Sequence, residues 1–459
     1  MGPACDNEET LRKMMENGMN VARFNFSHGS YEEHLGRYNR VVKVRDELKL
    51  PVATLFDSKG PEIRFRLFEG SKVTINDGDL FTLTTREILG NNTIGSISYK
   101  NLINDVQIGT SILVNDGLIE LKVEKVGDTD IVCRVINGGV ISDRKAINVP
   151  GVHLSLPFLS DVDRRDLEFA MKTGFDFFAL SFVRCAEDVL EVRRLQKEHN
   201  NTSKLIAKIE SQEGVENLDA IIDVADGIMV ARGDMGVEIP FEKVPVVQKD
   251  MISKCLKSGK FVIVATQMLE SMTHNPRPTR AEVNDVANAI FDQTSAVMLS
   301  GESAAGDYPV EAVKTMSRIC HEIEKTTTTG KFEITYNGSN LASSIACAAC
   351  SIASVINADA IIPVSLSGST IRKVSGFRPN INIIGCSTNE RVCRETSLMW
   401  GVTPVLITEQ EDGEALINEV INKCKTAGVI KSGNRVVIVA GFPLRIAGAT
   451  NMIRVVDVD

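Results

Sequence analysis

Residues 204–233 read KLIAKIESQEGVENLDAIIDVADGIMVARG. Two apolar runs, KLIAKIE (204–210) and ADGIMVARG (225–233), flank an amphipathic stretch at 213–222. Nearly continuous hydrophobicity in each run is expected of a strand buried on both faces, and therefore of a parallel sheet. The stretch between them suits a crossover helix. The same kind of run recurs at 20–27 (NVARFNFS), 52–58 (VATLFDS), 175–183 (FDFFALSFV), 260–268 (KFVIVATQM) and 295–301 (SAVMLSG). Helical stretches at 163–173 and 186–199 fill two of the gaps. Repeated βα units of this kind predict a TIM (β/α)8-type barrel or a doubly wound sheet.

Only seven such runs precede residue 302, where a closed barrel needs eight. The chain opens with GPACDNEETLRKMMENG (2–18), which reads as a loop, a helix and a glycine stop. The first barrel strand is therefore expected to be missing from this sequence, and a closed seven-stranded barrel would contradict that. Residues 61–156 break the alternation: KVTI, LFTLTT, SILV, LIELKVEKV and DIVCRVI are separated by Gly, Asn and Asp turns. They predict an inserted all-β domain at the catalytic end of the barrel, placed to act as a lid. From about residue 340 an open α/β domain is expected, with strands near 359–365, 381–386, 403–407, 434–440 and 453–458. The expected division is thus a split barrel (1–60 and 157–330), a lid (61–156) and a C-terminal domain (340–459), with TTTTGKF (326–332) as the linker.

A chain of 459 residues is long enough for two or three such domains. Its net charge of −9 and 5% aromatic content argue against a nucleic-acid groove or a binder of anionic membranes. No apolar run reaches the roughly 18 residues of a membrane span. Ten cysteines lack any framework spacing, so free thiols and a cytoplasmic location are expected. Cys347 and Cys350 form a CxxC, but LASSIACAACSIAS reads as a buried helix face.

Ligands of a βα barrel sit at the C-terminal strand ends. Those ends carry Arg23, Asn25 and Ser27; Asp57, Ser58 and Lys59; Ser181; Lys208 and Glu210; Arg232 and Asp234; Thr266; and Ser300 and Glu302. Ser181, Ser300 and Glu302 are readable as helix caps alone. Lys208 and Glu210 alternate along one strand and face the same side of the sheet, and Asp234 is expected to end the next strand. Two carboxylates beside one lysine suit a hard divalent cation, or else a plain Lys–Glu ion pair. Gly233 and Gly236 let the backbone around Asp234 approach an anion. This chemistry suits a small phosphorylated acid.

ARFNFSHG, SKGPEIR, AKIES, ARGDMGVEIP, ATQMLESM, PTRAEVNDVANAI and SGESAAGDYP, in this order, resemble pyruvate kinase across essentially the whole chain. The resemblance implies phosphoryl transfer from phosphoenolpyruvate to ADP, giving pyruvate and ATP, with Mg2+ (or Mn2+) and K+. It implies that Glu210 and Asp234 hold the divalent cation and that Lys208 steadies the phosphoryl group. Arg23 would meet the transferring phosphate, and Asn25, His28, Arg64 and Asp116 would serve the nucleotide. Asn25, Ser27, Asp57 and Ser58 match the K+ ligands. The backbone from Ala231 through Arg232 and Gly233 to Asp234 would take the substrate carboxylate, with Thr266 beside the enolate. A homotetramer follows from the resemblance alone.

Some positions depart from the family pattern. Ser58 replaces a usual Thr and keeps its hydroxyl; Glu62 matches members that need K+. Val162 and Ala305 stand where some members carry lysines near the nucleotide. In SLSGSTIRK (365–373) the turn Ser365, Ser367, Gly368, Ser369, Thr370 is of a phosphate-binding kind. In the family this turn takes a phosphorylated effector, a sugar phosphate or nucleotide. GFPLRIAGATN (441–451) lacks the Trp–Arg pair that serves fructose 1,6-bisphosphate in some members. Two other proteins fit parts of the pattern: a barrel lyase working on a pyruvate enolate, and an inactive sugar-phosphate sensor.

Overall fold

The computed structural model describes residues 1–326, 341–444, 446 and 449–459. Strands Val21–Asn25, Ala53–Asp57, Phe177–Leu180, Lys204–Ile209, Gly227–Ala231, Phe261–Ala265 and Ala296–Val297 form one sheet in that order. Every neighbouring pair is parallel. Each strand falls inside one of the seven apolar runs. Four of them are buried at every residue, which is why the runs show no two-residue period. Among the described residues the first and last strands each pair on one side only, so seven strands do not close into a barrel.

The two faces of this sheet build different cores. Phe56, Phe178, Leu205, Ile228 and Val264 pack outward against the helices. Leu55, Ala179, Ile206, Met229 and Ile263 pack inward on one another. A period of two along each strand then decides which polar residues reach the interior. Arg23, Asp57, Ser181, Lys208 and Glu210 all share the parity of the inward set.

Helices occupy the expected gaps, with local reasons for their ends. Ser160 and Asp163 form a capping box at the start of Asp161–Thr173, and Gly174 stops that helix at φ +91°. The stretch expected as one helix at 213–222 is two, Gln212–Glu216 and Leu218–Val224, broken at Asn217. Asn217 Nδ2 donates to the Arg184 carbonyl at 2.9 Å.

Between the second and third barrel strands the chain forms a seven-stranded sheet and a two-stranded ribbon. The five runs read from the sequence are all strands: Lys72–Ile75, Leu80–Thr84, Ser111–Val114, Ile119–Val126 and Asp130–Asn137. Ile63–Arg64, Ile94–Ser96, Gly139–Ser142 and Ala146–Asn148 were not expected, being too short to show a period.

The C-terminal unit has strands Val402–Leu406, Asn382–Ser387, Ala360–Pro363, Arg435–Gly441 and Thr450–Asp457 in spatial order, the last antiparallel. Cys347 and Cys350 are buried in helix Leu341–Val355, and all ten cysteines are free thiols. This unit grips the N-terminal ends of the barrel strands. Arg394 Nε bonds both Asp176 carboxylate oxygens (3.0 and 3.2 Å), and Arg391 Nη2 donates to Ser203 Oγ (2.8 Å). Arg378, stacked over Trp400, reaches the Gln293 carbonyl and Ser295 Oγ. Beyond Thr326, the expected linker lies outside the described residues, as do Arg445, Ala447 and Gly448 of the 441–451 loop. Among the described residues no helix is long and apolar enough to cross a membrane.

Candidate active site

Five inward-facing polar side chains meet at the C-terminal strand ends. Lys208 Nζ donates to Ser181 Oγ at 2.6 Å and stands 3.0 Å from Asp57 and 3.1 Å from Glu210. Asp57 also receives Arg23 Nε at 2.5 Å. Burial disfavours the charge on Lys208, but Asp57 and Glu210 together outweigh it and raise its pKa. Burial works against the Asp57 charge, yet Arg23 and Lys208 hold its pKa below the usual range. Glu210 fares differently. Burial pushes its pKa up to about 7; Lys208 opposes the rise and Asp234 adds to it. Lys208 is shared between two carboxylates, and Asp57 has Arg23 besides.

Glu210 Oε2 accepts the Phe182 N–H at 2.6 Å, while Oε1 is buried with no hydrogen-bond partner. Its 3.1 Å approach to Lys208 lacks the angle of a hydrogen bond. A buried carboxylate oxygen left this way fits a divalent cation, because native proteins rarely leave such an atom orphaned. Among the described residues no three His, Cys, Asp or Glu side chains form a complete metal cage.

Asp234 does not end a strand. The strand stops at Ala231, and Asp234 lies in the first turn of the short helix Arg232–Glu238. The parity argument fails there because a helical turn, not a pleat, aims the side chain. Ser181 is no helix cap either: its hydroxyl accepts from Lys208 and donates to the Ser58 carbonyl at 2.7 Å. Ser300 makes no side-chain cap bond, and Glu302 is buried with its oxygens on the Leu269 and Ser300 N–H groups.

A cleft of about 1080 Å3 opens between the barrel end and the β-rich insertion. Arg232, Gly233, Asp234 and Thr266 line it from the barrel, and Asp116 lines it from the insertion. Asn148 Nδ2 donates to Glu238 across the gap at 2.8 Å, tying the insertion to the barrel. Arg64 is not among the lining residues; it pairs with Glu62 (2.6 Å) and donates to the Arg144 carbonyl. Asn25 and Asp57 are register partners on adjacent strands, with Ser27 and Ser58 just beyond. Asn25 Oδ1 accepts the Ser27 N–H, and Ser58 Oγ accepts the Ser181 N–H. His28 is exposed at the same rim.

The matching family models are "Pyruvate kinase, barrel domain" over residues 1–313 and "Pyruvate kinase, alpha/beta domain" over 343–456. The chain belongs to the pyruvate kinase family. The pyruvate kinase of Clostridium acetobutylicum is 46% identical, over 99% of this chain and 97% of that protein. The Staphylococcus aureus pyruvate kinase is 44% identical, over 99% of this chain and 79% of its own. A solved pyruvate kinase from Cryptosporidium parvum superposes with a TM-score of 0.94 at 38% identity, covering 100% and 95% of the two chains. Membership explains why one end of a hydrophobic sheet gathers so many charges.

The turn expected to hold an effector phosphate sits in the C-terminal unit, far from this cluster in the chain. Ser365, Ser367 and Thr370 line a small cavity of about 70 Å3, with Thr450 opposite. Thr370 and Thr450 share a hydroxyl–hydroxyl bond of 2.7 Å. Gly368 turns the chain at φ +76° ahead of helix Ser369–Gly376.

Proposed function

We infer that this chain is a phosphotransferase that moves the phosphoryl group of phosphoenolpyruvate to ADP, yielding pyruvate and ATP. The observation that carries the site assignment is the Glu210 oxygen, buried and unbonded, beside a protonated lysine at a barrel end. Glu210 and Asp234 would hold Mg2+ or Mn2+, and Asn25, Ser27, Asp57 and Ser58 would hold K+. When bound, these cations offset charge on two polyanionic substrates that otherwise repel by about 4 kcal/mol per charge pair at 4 Å and an effective dielectric near 20.

The side chains have separable tasks. Lys208, kept charged by Asp57 and Glu210, stabilises the phosphoryl group in flight. Arg23, braced by Asp57, faces the same group. The backbone from Ala231 to Asp234 takes the carboxylate of the three-carbon acid, and Thr266 stands by the enolate as it is protonated. Asn25, His28, Arg64 and Asp116 serve the nucleotide, the last from the insertion, which closes over the cleft to exclude water. In the open cleft, Arg64 must leave Glu62 to do so.

Residues 1–60 with 157–330 act as the catalytic barrel, 61–156 as the lid and 340–459 as an effector domain. Its 365–370 turn would take a sugar phosphate or nucleotide. We assign a homotetramer in the cytoplasm on family grounds. The test is ATP formation from phosphoenolpyruvate and ADP, with and without Mg2+ and K+. ATP that appears only with both cations is expected; no ATP under any cation condition overturns the assignment.

A further inference from the structure

Arg232 belongs to the carboxylate cradle by its backbone, but its side chain leaves the cradle. It crosses to the end of the neighbouring strand, Phe261–Ala265. There Nε donates to the Ala265 carbonyl at 3.2 Å and Nη2 to the Thr266 carbonyl at 2.6 Å. The remaining arm, Nη1, donates to Asp285 Oδ1 at 2.8 Å, from helix Arg280–Phe291. Little of the Arg232 side chain is exposed, while Asp285 is 35% exposed at the wall of the cleft.

The backbone under this clamp is strained. Thr266 lies at φ +70° and Gln267 at φ +53°, two successive non-glycine residues in the left-handed region. A β-branched residue there is a genuine outlier, and such strain persists only where neighbours over-determine it. The clamp supplies that: two consecutive carbonyls of the turn are pinned by one planar fork. The turn aims the Thr266 hydroxyl at the cradle, where it accepts the Gly233 N–H at 2.9 Å and donates to Ala265 at 2.6 Å.

We propose that Arg232 and Asp285 are a positioning pair that holds Thr266 in its left-handed turn and so sets where its hydroxyl meets the three-carbon substrate. Neither side chain needs to touch substrate. Arg232 bonds the backbone of the turn, and Asp285 fixes the plane of Arg232. This rests on the assignment of Thr266 to the enolate made above. Loosening the pair lets the turn relax, moving the hydroxyl while leaving Lys208, Glu210 and Asp234 in place.

The test compares the parent chain with Asp285→Asn, Asp285→Glu and Arg232→Lys. ATP formation is measured beside exchange of the pyruvate methyl hydrogens with deuterium from solvent. That exchange removes one methyl proton to give the enolate and returns a deuteron, with no phosphoryl transfer. A parent chain without turnover refutes the function assignment, and the proposal that rests on it falls with it. With an active parent, Asp285→Asn is expected to lose at least about tenfold in kcat and in deuterium exchange. Its KM for phosphoenolpyruvate should change less than about threefold, and Asp285→Glu should recover part of the loss. Exchange and kcat within twofold of the parent overturn the proposal. So does a loss carried by KM, or one that Asp285→Glu does not relieve. If Asp285→Asn melts below the assay temperature, Arg232→Lys decides on the same criteria, because a lysine cannot fork across two carbonyls.

Discussion

Lys208 Nζ stands 3.1 Å from Glu210 Oε1, yet that oxygen accepts no hydrogen bond. The ammonium is spent on Ser181 and Asp57 instead. Two cations, Arg23 and Lys208, face three carboxylates, Asp57, Glu210 and Asp234. The deficit falls on Glu210.

Replacing Lys208 with Met removes the charge at the centre of this cluster and keeps most of its volume. The fold should survive, as judged by circular dichroism, while turnover falls at least about 100-fold, the scale of losing a preorganised electrostatic contact. Near-parental turnover would remove Lys208 from the reaction.

As a cation ligand, Glu210 would make cation binding depend on pH. Its folded pKa, about 7, lies above the ordinary carboxylate value, so the folded, metal-free protein holds the proton more tightly than the unfolded chain. The resulting stability is full below the ordinary value, near 4.5, and is lost as pH rises through about 7. A cation must displace that proton. Mn2+ affinity should therefore weaken about tenfold per pH unit below 7 and level off above 8. Calorimetric titration across this range, with proton release followed in two buffers, checks it. A flat profile would contradict the burial of an under-compensated carboxylate.

Asp176 is 1% exposed and takes Arg394 from the C-terminal unit, Thr54 N–H at 2.9 Å and Thr54 Oγ1 at 3.1 Å. Asp176→Ala should cost about 3–5 kcal/mol, since it leaves the buried Arg45, the partly buried Arg394 and the buried Thr54 N–H without their anion. Chemical denaturation measures this directly. Arg394→Ala should be comparably harmful, and the double variant should cost less than the sum of the two.

Removing K+ and Na+ from the assay should abolish most turnover, because Asp57 alone carries negative charge among Asn25, Ser27, Asp57 and Ser58. Full activity in such a buffer would show that the pairing of Asp57 with Arg23 and Lys208 serves its place.

The barrel was legible because both faces of its strands are buried, which turns seven strands into seven unbroken apolar runs. Lys208 and Glu210 were legible for the same reason: charge has no place in such a run without a purpose. Asp234 reads as a strand end because no signal distinguishes the last residue of a pleat from the first turn of a helix. A lone serine at a strand end such as Ser181 reads as a cap until the lysine from the next strand is seen on it. Asp285 lies in a motif that marks the family, but its tie to Arg232 spans 53 residues and leaves no local trace. The arginines at the foot of the barrel were invisible for the same reason, as contacts between units follow no periodicity.

Strand Phe177–Leu180 has a held residue beyond each end. At its foot, Asp176 is gripped by Arg394. At its head, Phe182 turns at φ +54° and gives its N–H to Glu210. The four strand residues and Ser181 are all that separate the two. The strand is thus a push-rod with a socket at each end, and its four residues are buried without slack. One short strand thus joins the contact made by the C-terminal unit to the seat of the one carboxylate whose charge is least secure.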